Sequence, residues 1–297
     1  MKTVALLLDD PGNQYQQLLV REARSQAARQ NLRVLDPEFG QGSSWTQLET
    51  VQAFLRKPTG RPDGVVVMLA GGQMTASAFA RLAKADIAMV FVNRVPPWID
   101  DLRVQFPKAL VAAVAPRQRG IGEVQARHAF RLARPGSFVL MVTGEARSQA
   151  AIERHQGFLE TAGSRFDVHA LDGRWSAEGA AQVVEEWFRV GAKRDVRIEL
   201  VVCHNDAMAK GVRTALARQG SISARTDLAH VPIVGCDGLE SEGLAMVARG
   251  ELAGTVVLPT TTPPALKILR RFWDSAALSG TVQLEATAYP PLAEAAS

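Results

Sequence analysis

The sequence predicts an α/β fold made of two doubly wound parallel-sheet domains. Short runs of continuous apolar residues such as Val4–Leu8, Ile87–Val92 and Phe138–Val142 read as strands buried on both faces, which is the mark of parallel sheets covered by helices. These runs alternate with amphipathic helical stretches, and repeated βα units give a doubly wound sheet. The series restarts near Ala115, so the 297 residues are better divided between two sheets than gathered in one.

Val4–Leu8 is the first expected strand. A helix from about Tyr15 to Gln30 carries Leu19, Ala23 and Ala27 at four-residue spacing on one face. Leu32–Leu35 is the second strand, and Ser44 to Lys57 a helix with Leu48, Val51 and Leu55 aligned. Strands Val65–Ala70 and Ile87–Val92 flank a helix around Thr75–Lys84, and Leu110–Val114 is the fifth strand. The second series begins with a helix over Arg117–Leu132, broken by Arg134-Pro135-Gly136. Strand Phe138–Val142, helix Gln149–Ala162 and strand Phe166–Leu171 follow. Ser176 is a candidate N-cap for a helix carrying Ala180, Val183, Val184, Trp187 and Phe188. Strand Ile198–Cys203, helix Ala207–Gln219 and strand Val231–Gly235 come next. Segments Ser241–Arg249 and Thr255–Leu258 and a long helix near Pro263–Leu278 close the series. The halves share an architecture but no internal sequence repeat.

Composition removes several function classes. With 47% hydrophobic and 22% charged residues, the chain is too apolar for intrinsic disorder. Two cysteines, Cys203 and Cys236, make neither a disulfide framework nor a four-cysteine zinc site; closing two strands, they read as buried small apolar residues. The five histidines show no metal-ligand spacing, so no metal and no cofactor are expected. The net charge of +4 invites a nucleic-acid reading, but the arginines are interleaved with acids. Their densest cluster, Arg117, Arg119, Arg127, Arg131 and Arg134, lacks aromatics for base stacking. There is no phosphate-binding Gly-x-x-x-x-Gly-Lys loop, no Gly-x-Ser-x-Gly elbow and no Gly-x-Gly-x-x-Gly after a strand, so no enzyme is expected. The apolar run Val4–Leu8 is shorter than the roughly 7–15 residues of a secretory signal core. As written the sequence therefore predicts a cytoplasmic protein, with the periplasm or cell envelope as the alternative if a leader is missing.

In doubly wound sheets, ligands sit beyond the carboxyl ends of the strands. Those ends read Asp9-Asp10-Pro11-Gly12-Asn13-Gln14-Tyr15, Asn93-Arg94, His204-Asn205-Asp206 and Cys236-Asp237-Gly238. Amides, carboxylates and guanidiniums supply directed donors and acceptors, and Tyr15 an apolar stacking face, a set suited to hydroxyl-rich ligands.

These segments resemble the type I periplasmic-binding-protein superfamily, in its ribose-, allose- and galactose-binding branch; lactose-repressor-type sensor cores share that fold. Asn13-Gln14-Tyr15 is similar to the family's Asn-Pro-Phe-Phe stretch, and Val90-Phe91-Val92-Asn93-Arg94 to its strand ending in Asp-Arg. Arg154-His155-Gln156-Gly157-Phe158 resembles its Arg-x-x-Gly-Phe. Asn205-Asp206-Ala207-Met208-Ala209-Lys210-Gly211 resembles Asn-Asp-x-Met-Ala-x-Gly, and Val234-Gly235-Cys236-Asp237-Gly238 resembles Val-Gly-Phe-Asp-Gly. Gly254-Thr255-Val256-Val257 resembles the family's last interdomain segment.

The resemblance implies two lobes joined by three crossovers, placed near Val114, Cys236 and Thr255–Leu258, with ligand in the cleft. The lobes become 1–114 plus about 237–256, and about 115–236 plus 257–297. The sugar contacts it implies are Asn13, Tyr15, Asn93, Arg94, Arg154, Asn205 and Asp237. Three positions depart from the pattern: Asn93 replaces Asp, Leu258 replaces Gln, and Arg117-Gln118 replaces Asp-Asn. The loss of a hydroxyl partner at Leu258 points to a ligand without a hydroxyl there, because an unpaired buried polar group costs about 1–3 kcal/mol. The added positive balance leaves an acidic ligand open beside ordinary sugars.

Plainer roles stand beside these. Asp206 is expected to cap the following helix, which would leave Asn205 for ligand. Asp237-Gly238 also fits a simple turn, and Arg154 an exposed helix face. The five tryptophans read as packing residues, with Trp98 the one expected near a cleft. The expected function is a monomeric carbohydrate-binding protein that closes on a monosaccharide-like ligand and serves the permease of an ABC sugar importer. The alternatives are a cytosolic sugar sensor partnering a regulator or kinase, and the effector core of a transcriptional regulator. The first strand begins too early for a DNA-reading helix-turn-helix ahead of it, so no nucleic acid is expected to bind this chain.

Overall fold

The computed structural model describes residues 1–57, 59–70, 76–190, 196–275 and 279–292. The chain runs β1 (Lys2–Leu8), α1 (Gln14–Arg29), β2 (Leu32–Val34), β3 (Glu38–Phe39), α2 (Ser44–Arg56), β4 (Gly64–Val67), α3 (Ala76–Lys84), β5 (Ala88–Val92), α4 (Ile99–Gln105) and β6 (Val111–Pro116). It continues through α5 (Gln118–Leu132), β7 (Phe138–Thr143), α6 (Gln149–Ala162), β8 (Asp167–Asp172), α7 (Ala177–Val190), β9 (Ile198–Cys203) and α8 (Asp206–Ser223). A 3₁₀ turn (Thr226–His230), β10 (Ile233–Asp237), a π turn (Glu240–Leu244), α9 (Ala245–Ala248), β11 (Gly254–Val257), α10 (Thr262–Ser275), β12 (Thr281–Leu284) and β13 (Thr287–Tyr289) complete it. Thr75 and residues 276–278, where the sequence places the start of one helix and the end of the last, lie outside the described residues.

The chain divides into two compact units, Met1–Pro116 with Pro259–Leu284, and Arg117–Leu258 with Glu285–Ser297. The first crossover falls two residues beyond Val114, and another just past Thr255–Leu258. The crossover expected at Cys236 is not one. Cys236 lies inside β10, whose residues Val234–Asp237 pair in parallel with Gly254–Val257 of β11. Residues 237–256 therefore belong to the second unit, and not to the first as the sequence suggested. Conversely, α10 and β12 belong to the first unit, because Thr281–Leu284 pairs with Ala113–Pro116 of β6. The third passage of the chain is at 284/285.

The first unit's sheet has the order β12-β6-β5-β4-β1-β2, with β3 also on β1, and its pairings are all parallel. Alternation along β1 explains its two cores. Ala5 and Leu7 face Val51, Phe54, Phe79 and Leu82 on one side; Val4, Leu6 and Leu8 face Ala23, Ala27, Leu266 and Leu269 on the other. The second sheet has the order β13-β11-β10-β9-β7-β8, parallel except for the antiparallel edge strand β13. Leu140, Val142, Val201 and Cys203 pack under α7 and α8. Val139, Met141, Leu200 and Val202 pack under α5 and α6.

Candidate functional site

Each sheet reverses strand order once, and polar side chains gather at that point. In the first sheet β1 runs outward to β2 on one side and to β4 on the other, the kind of switch point where α/β sheets bind ligands. An open cavity of about 480 Å³ lies there, lined by Asp9, Asp10, Pro11, Gln41 and Gly42. Gln16, buried on α1, holds two of these lining residues: one side-chain oxygen accepts the amides of Asp9 (2.8 Å) and Asp10 (3.1 Å). Asp9 in turn accepts the Gly42 amide at 2.7 Å. Burial raises the Asp9 pKa, while the Gly42 amide and the charge of Arg94 oppose that rise.

The sequence-predicted residues of this unit occupy the same end of the sheet. Asn13 is the N-cap of α1, accepting the Gln16 amide at 3.1 Å. Tyr15 is 6% exposed, and its hydroxyl donates to the Pro259 carbonyl at 3.2 Å. Asn93 closes β5 with φ +68°, a left-handed conformation that Asn tolerates better than most residues. Arg94 follows, its Nη2 donating to the Leu69 carbonyl beyond β4. Trp98, expected near a cleft, instead packs on Phe79 and Phe91 with ring centroids at 5.4 Å.

In the second sheet the switch lies between β7 and β9. Arg154 projects there from α6 and is 4% exposed, so the surface-arginine alternative fails. Its Nε donates to Gln118 Oε1 at 2.8 Å. Its Nη1 donates to the His204 carbonyl and toward Cys236 Sγ at 3.6 Å. Its guanidinium carbon lies 5.3 Å from the Trp175 ring centroid. Nη2 has no hydrogen-bond partner among the described residues.

Asn205, and not Asp206, caps α8: its Oδ1 accepts the Met208 amide at 2.8 Å. Its Nδ2 donates to the Trp175 carbonyl at 3.0 Å. The expectation for Asp206 fails because its carboxylate turns inward, accepting the Gly238 amide at 2.8 Å and the Thr255 hydroxyl at 2.7 Å. Burial, with the neighbouring Asp237 charge, holds its pKa well above the usual carboxylate range. The Val-Gly-x-Asp-Gly motif follows from this contact, since a methyl at Gly235 would lie 2.0 Å from Asp206 Oδ1. Asp237 itself sits at φ +116°, a conformation L side chains rarely adopt. Burial pushes its carboxyl up to about 7 against the opposing charge of Arg154.

The sequence reads Trp175 as a packing residue and Gln118 only as part of the Arg117-Gln118 departure from the family pattern, and it does not single out Gln16. Trp175 follows β8 at φ +61° and lies flat on Gly144, where a methyl would meet its ring at 2.0 Å. Its signal was an aromatic two residues after the strand-end pair Asp172-Gly173. Gln16 and Gln118 are buried polar residues on largely apolar helix faces, and Gln16 is visible in the sequence only as an interruption of the apolar pattern. Among the described residues no group of His, Cys, Asp and Glu could hold a metal ion, and no described helix is long and apolar enough to cross a membrane.

Two doubly wound sheets in one chain, each ending in hydrogen-bonding side chains at its switch point, are the build of a two-domain solute-binding protein. The chain belongs to the periplasmic binding protein domain family, whose model matches residues 4–261. It is 32% identical over 114 residues to the D-galactose/methyl-galactoside binding periplasmic protein of Haemophilus influenzae, covering 38% of this chain and 30% of that protein. It is 27% identical over 202 residues to a putative rhizopine-binding protein of Rhizobium meliloti, covering 64% and 58% respectively. The matched stretches thus span less than two thirds of these relatives. The fold matches an ABC transporter periplasmic solute binding protein from Actinobacillus succinogenes with bound D-allose, with a TM-score of 0.81, 18% identity and 97% coverage of both chains.

Proposed function

We propose that this protein is the sugar-binding component of an ABC importer, taking one monosaccharide- or cyclitol-sized polyhydroxylated ligand. The observation that carries the reading is the fixed guanidinium of Arg154. Three hydrogen bonds go to protein acceptors and one face lies on the Trp175 ring, while the Nη2 edge remains for a ligand hydroxyl beside Asp237. An ionised Asp237 accepts hydroxyl hydrogen bonds and Trp175 supplies an apolar wall for the ring's C–H face. Asn13, Tyr15, Asn93, Arg94 and Asn205 complete the proposed contacts. The scaffold bonds of Asn13 and Asn205 leave each amide less capacity for ligand than the sequence suggested.

The relatives' names support a sugar or cyclitol, and their periplasmic designation supports the cell envelope over the cytoplasm expected from the first residues. The reading includes a monomer that delivers ligand to a membrane permease and catalyses nothing. The test is a thermal-shift screen of neutral sugars, deoxy sugars, sugar acids and cyclitols on protein stripped of ligand, followed by calorimetry. A binder at 100-fold excess over Kd should add about 2.7 kcal/mol of stability, and Arg154→Met should weaken it roughly 10- to 100-fold. No stabilisation by any of them refutes the proposal.

A further inference from the structure

We infer that Gln118 is the positioning residue that sets the plane and the free edge of the Arg154 guanidinium, and that its neutrality leaves the Arg154 charge for the ligand side. The inference rests on Arg154 being a ligand contact. An arginine side chain has several rotatable bonds and reaches a defined donor geometry only where its environment over-determines it. Here the Nη1 bonds go to a backbone carbonyl and a sulfur, and the Trp175 face restrains tilt. Rotation within the guanidinium plane is fixed by the bond from Nε to Gln118 Oε1 at 2.8 Å, the one side-chain oxygen on this group among the described residues.

The helices are built to make that bond. A methyl at Gly122 would lie 2.0 Å from the Arg154 carbonyl oxygen, and one at Gly157 would lie 2.1 Å from the Arg119 carbonyl oxygen. Both glycines let α5 and α6 touch backbone to backbone. This sets the height of Arg154 against the first turn of α5, where Gln118 stands 6% exposed.

The choice of amide has its own consequence. A carboxylate at 118 would accept the same N–H but neutralise the guanidinium. Gln118 orients Arg154 without cancelling its charge, and that charge opposes the effect of burial on Asp237. Holding the donor ready before ligand arrives is what makes its hydrogen bond effective, since the ordering of the side chain is not charged to binding.

The experiment joins two readouts. The first is ¹⁵N NMR of the arginine Nε–H groups of the ligand-free protein, with the Arg154 signal assigned by its absence in Arg154→Lys. Its slow exchange should be lost in Gln118→Met and restored in Gln118→Glu. The second is calorimetry with the tightest sugar from the screen: Gln118→Met should weaken binding about tenfold, yet add nothing in an Arg154→Met background. Retained Nε–H protection in Gln118→Met overturns the inference, as does an equal affinity loss in both backgrounds, which would mark Gln118 as merely structural. If the wild type binds no sugar, the function proposal fails while the NMR readout still decides how Arg154 is held.

Discussion

Replacing Gly157 with alanine sets two physical effects against each other. Gly157 lies inside α6, where alanine ordinarily stabilises a helix by about 1 kcal/mol relative to glycine. At this position the added methyl would stand 2.1 Å from the Arg119 carbonyl oxygen, with the Arg119 carbonyl carbon at 2.8 Å. Carbon–oxygen contacts sit comfortably at about 3.3 Å or more, so the helices must part by about 1 Å. Both contacting groups are backbone, so no side chain can rotate away. Overpacking of this kind costs about 1–3 kcal/mol; the rigid contact places Gly157→Ala near the top of that range, and the helix gain of about 1 kcal/mol leaves a net loss of about 2 kcal/mol. For a unit of this size about 2 kcal/mol lowers Tm by roughly 4–8 °C. The same displacement stretches the 2.8 Å bond from Arg154 to Gln118, so ligand affinity should fall about tenfold while the site side chains stay unchanged. Differential scanning calorimetry and sugar titration of Gly157→Ala, with Gly280→Ala as a control in open space at an ordinary backbone conformation, give the answer. A Tm equal to or above the wild type would refute the claim that this glycine sets the helix spacing.

Asn205→Ala should destabilise the second unit by about 1–2 kcal/mol in urea unfolding, because it removes both the α8 cap and the bond to the Trp175 carbonyl; Asn205→Asp should keep the cap. Asp206→Asn should be milder than Asp206→Ala in the same assay. The amide retains an acceptor for Gly238 or Thr255, and the alanine leaves both donors buried without one. His128 gives a pH dependence. Burial, then the charge of Arg131, lowers its pKa to about 4, so the unfolded chain takes up its proton first as pH falls below the ordinary value near 6.5. Stability present above that pH is therefore lost progressively toward pH 4. Asp206 and Asp237, raised in the fold, act in the opposite sense over that range. The difference between wild type and His128→Gln should isolate the histidine, and a difference independent of pH from 7 to 4 would contradict it.

The fold was legible wherever burial on both faces left an unbroken apolar run. The strands from Val4, Ile87, Phe138, Ile198 and Val231 all fall within a few residues of their expected places. What escaped was exposed or short. β12 is four residues with three exposed, and edge strands carry no hydrophobic signature to read. Missing β12 and β13 is what misplaced the lobes, since 237–256 was assigned by analogy of crossovers and not by strand pairing. At the site, the strand-end segments were legible because polar residues directly after an apolar run stand out. The division of labour inside Asn205-Asp206 was not. Both residue types cap helices well, and only the inward turn of Asp206 toward Thr255 and Gly238 decides between them.

The motifs that resemble the sugar-binding family encode close approach as much as ligand contact. In Arg154-x-x-Gly157-Phe158, the arginine faces the site, the glycine admits α5, and Phe158 is wholly buried in the core beneath. In Asn205-Asp206-x-Met208-Ala209-x-Gly211, the asparagine caps and holds Trp175, the aspartate ties β10 to β11, and Gly211 lets α8 touch the Ala177 backbone, where a methyl would stand at 2.0 Å. In Val234-Gly235-Cys236-Asp237-Gly238, both glycines make room around Asp206 or β11, and Asp237 is the proposed ligand contact. Each motif thus delivers one residue of the proposed site and two or more that fix its backbone. Under the proposed function, backbone contacts set where the ligand-facing side chains of the motifs stand, and side chains outside the motifs are freer to tune the choice of ligand. Trp175, Asp9 and Leu258 are such positions, and under the proposed function substitutions there should change which sugar binds with less damage to the fold than any change within the motifs.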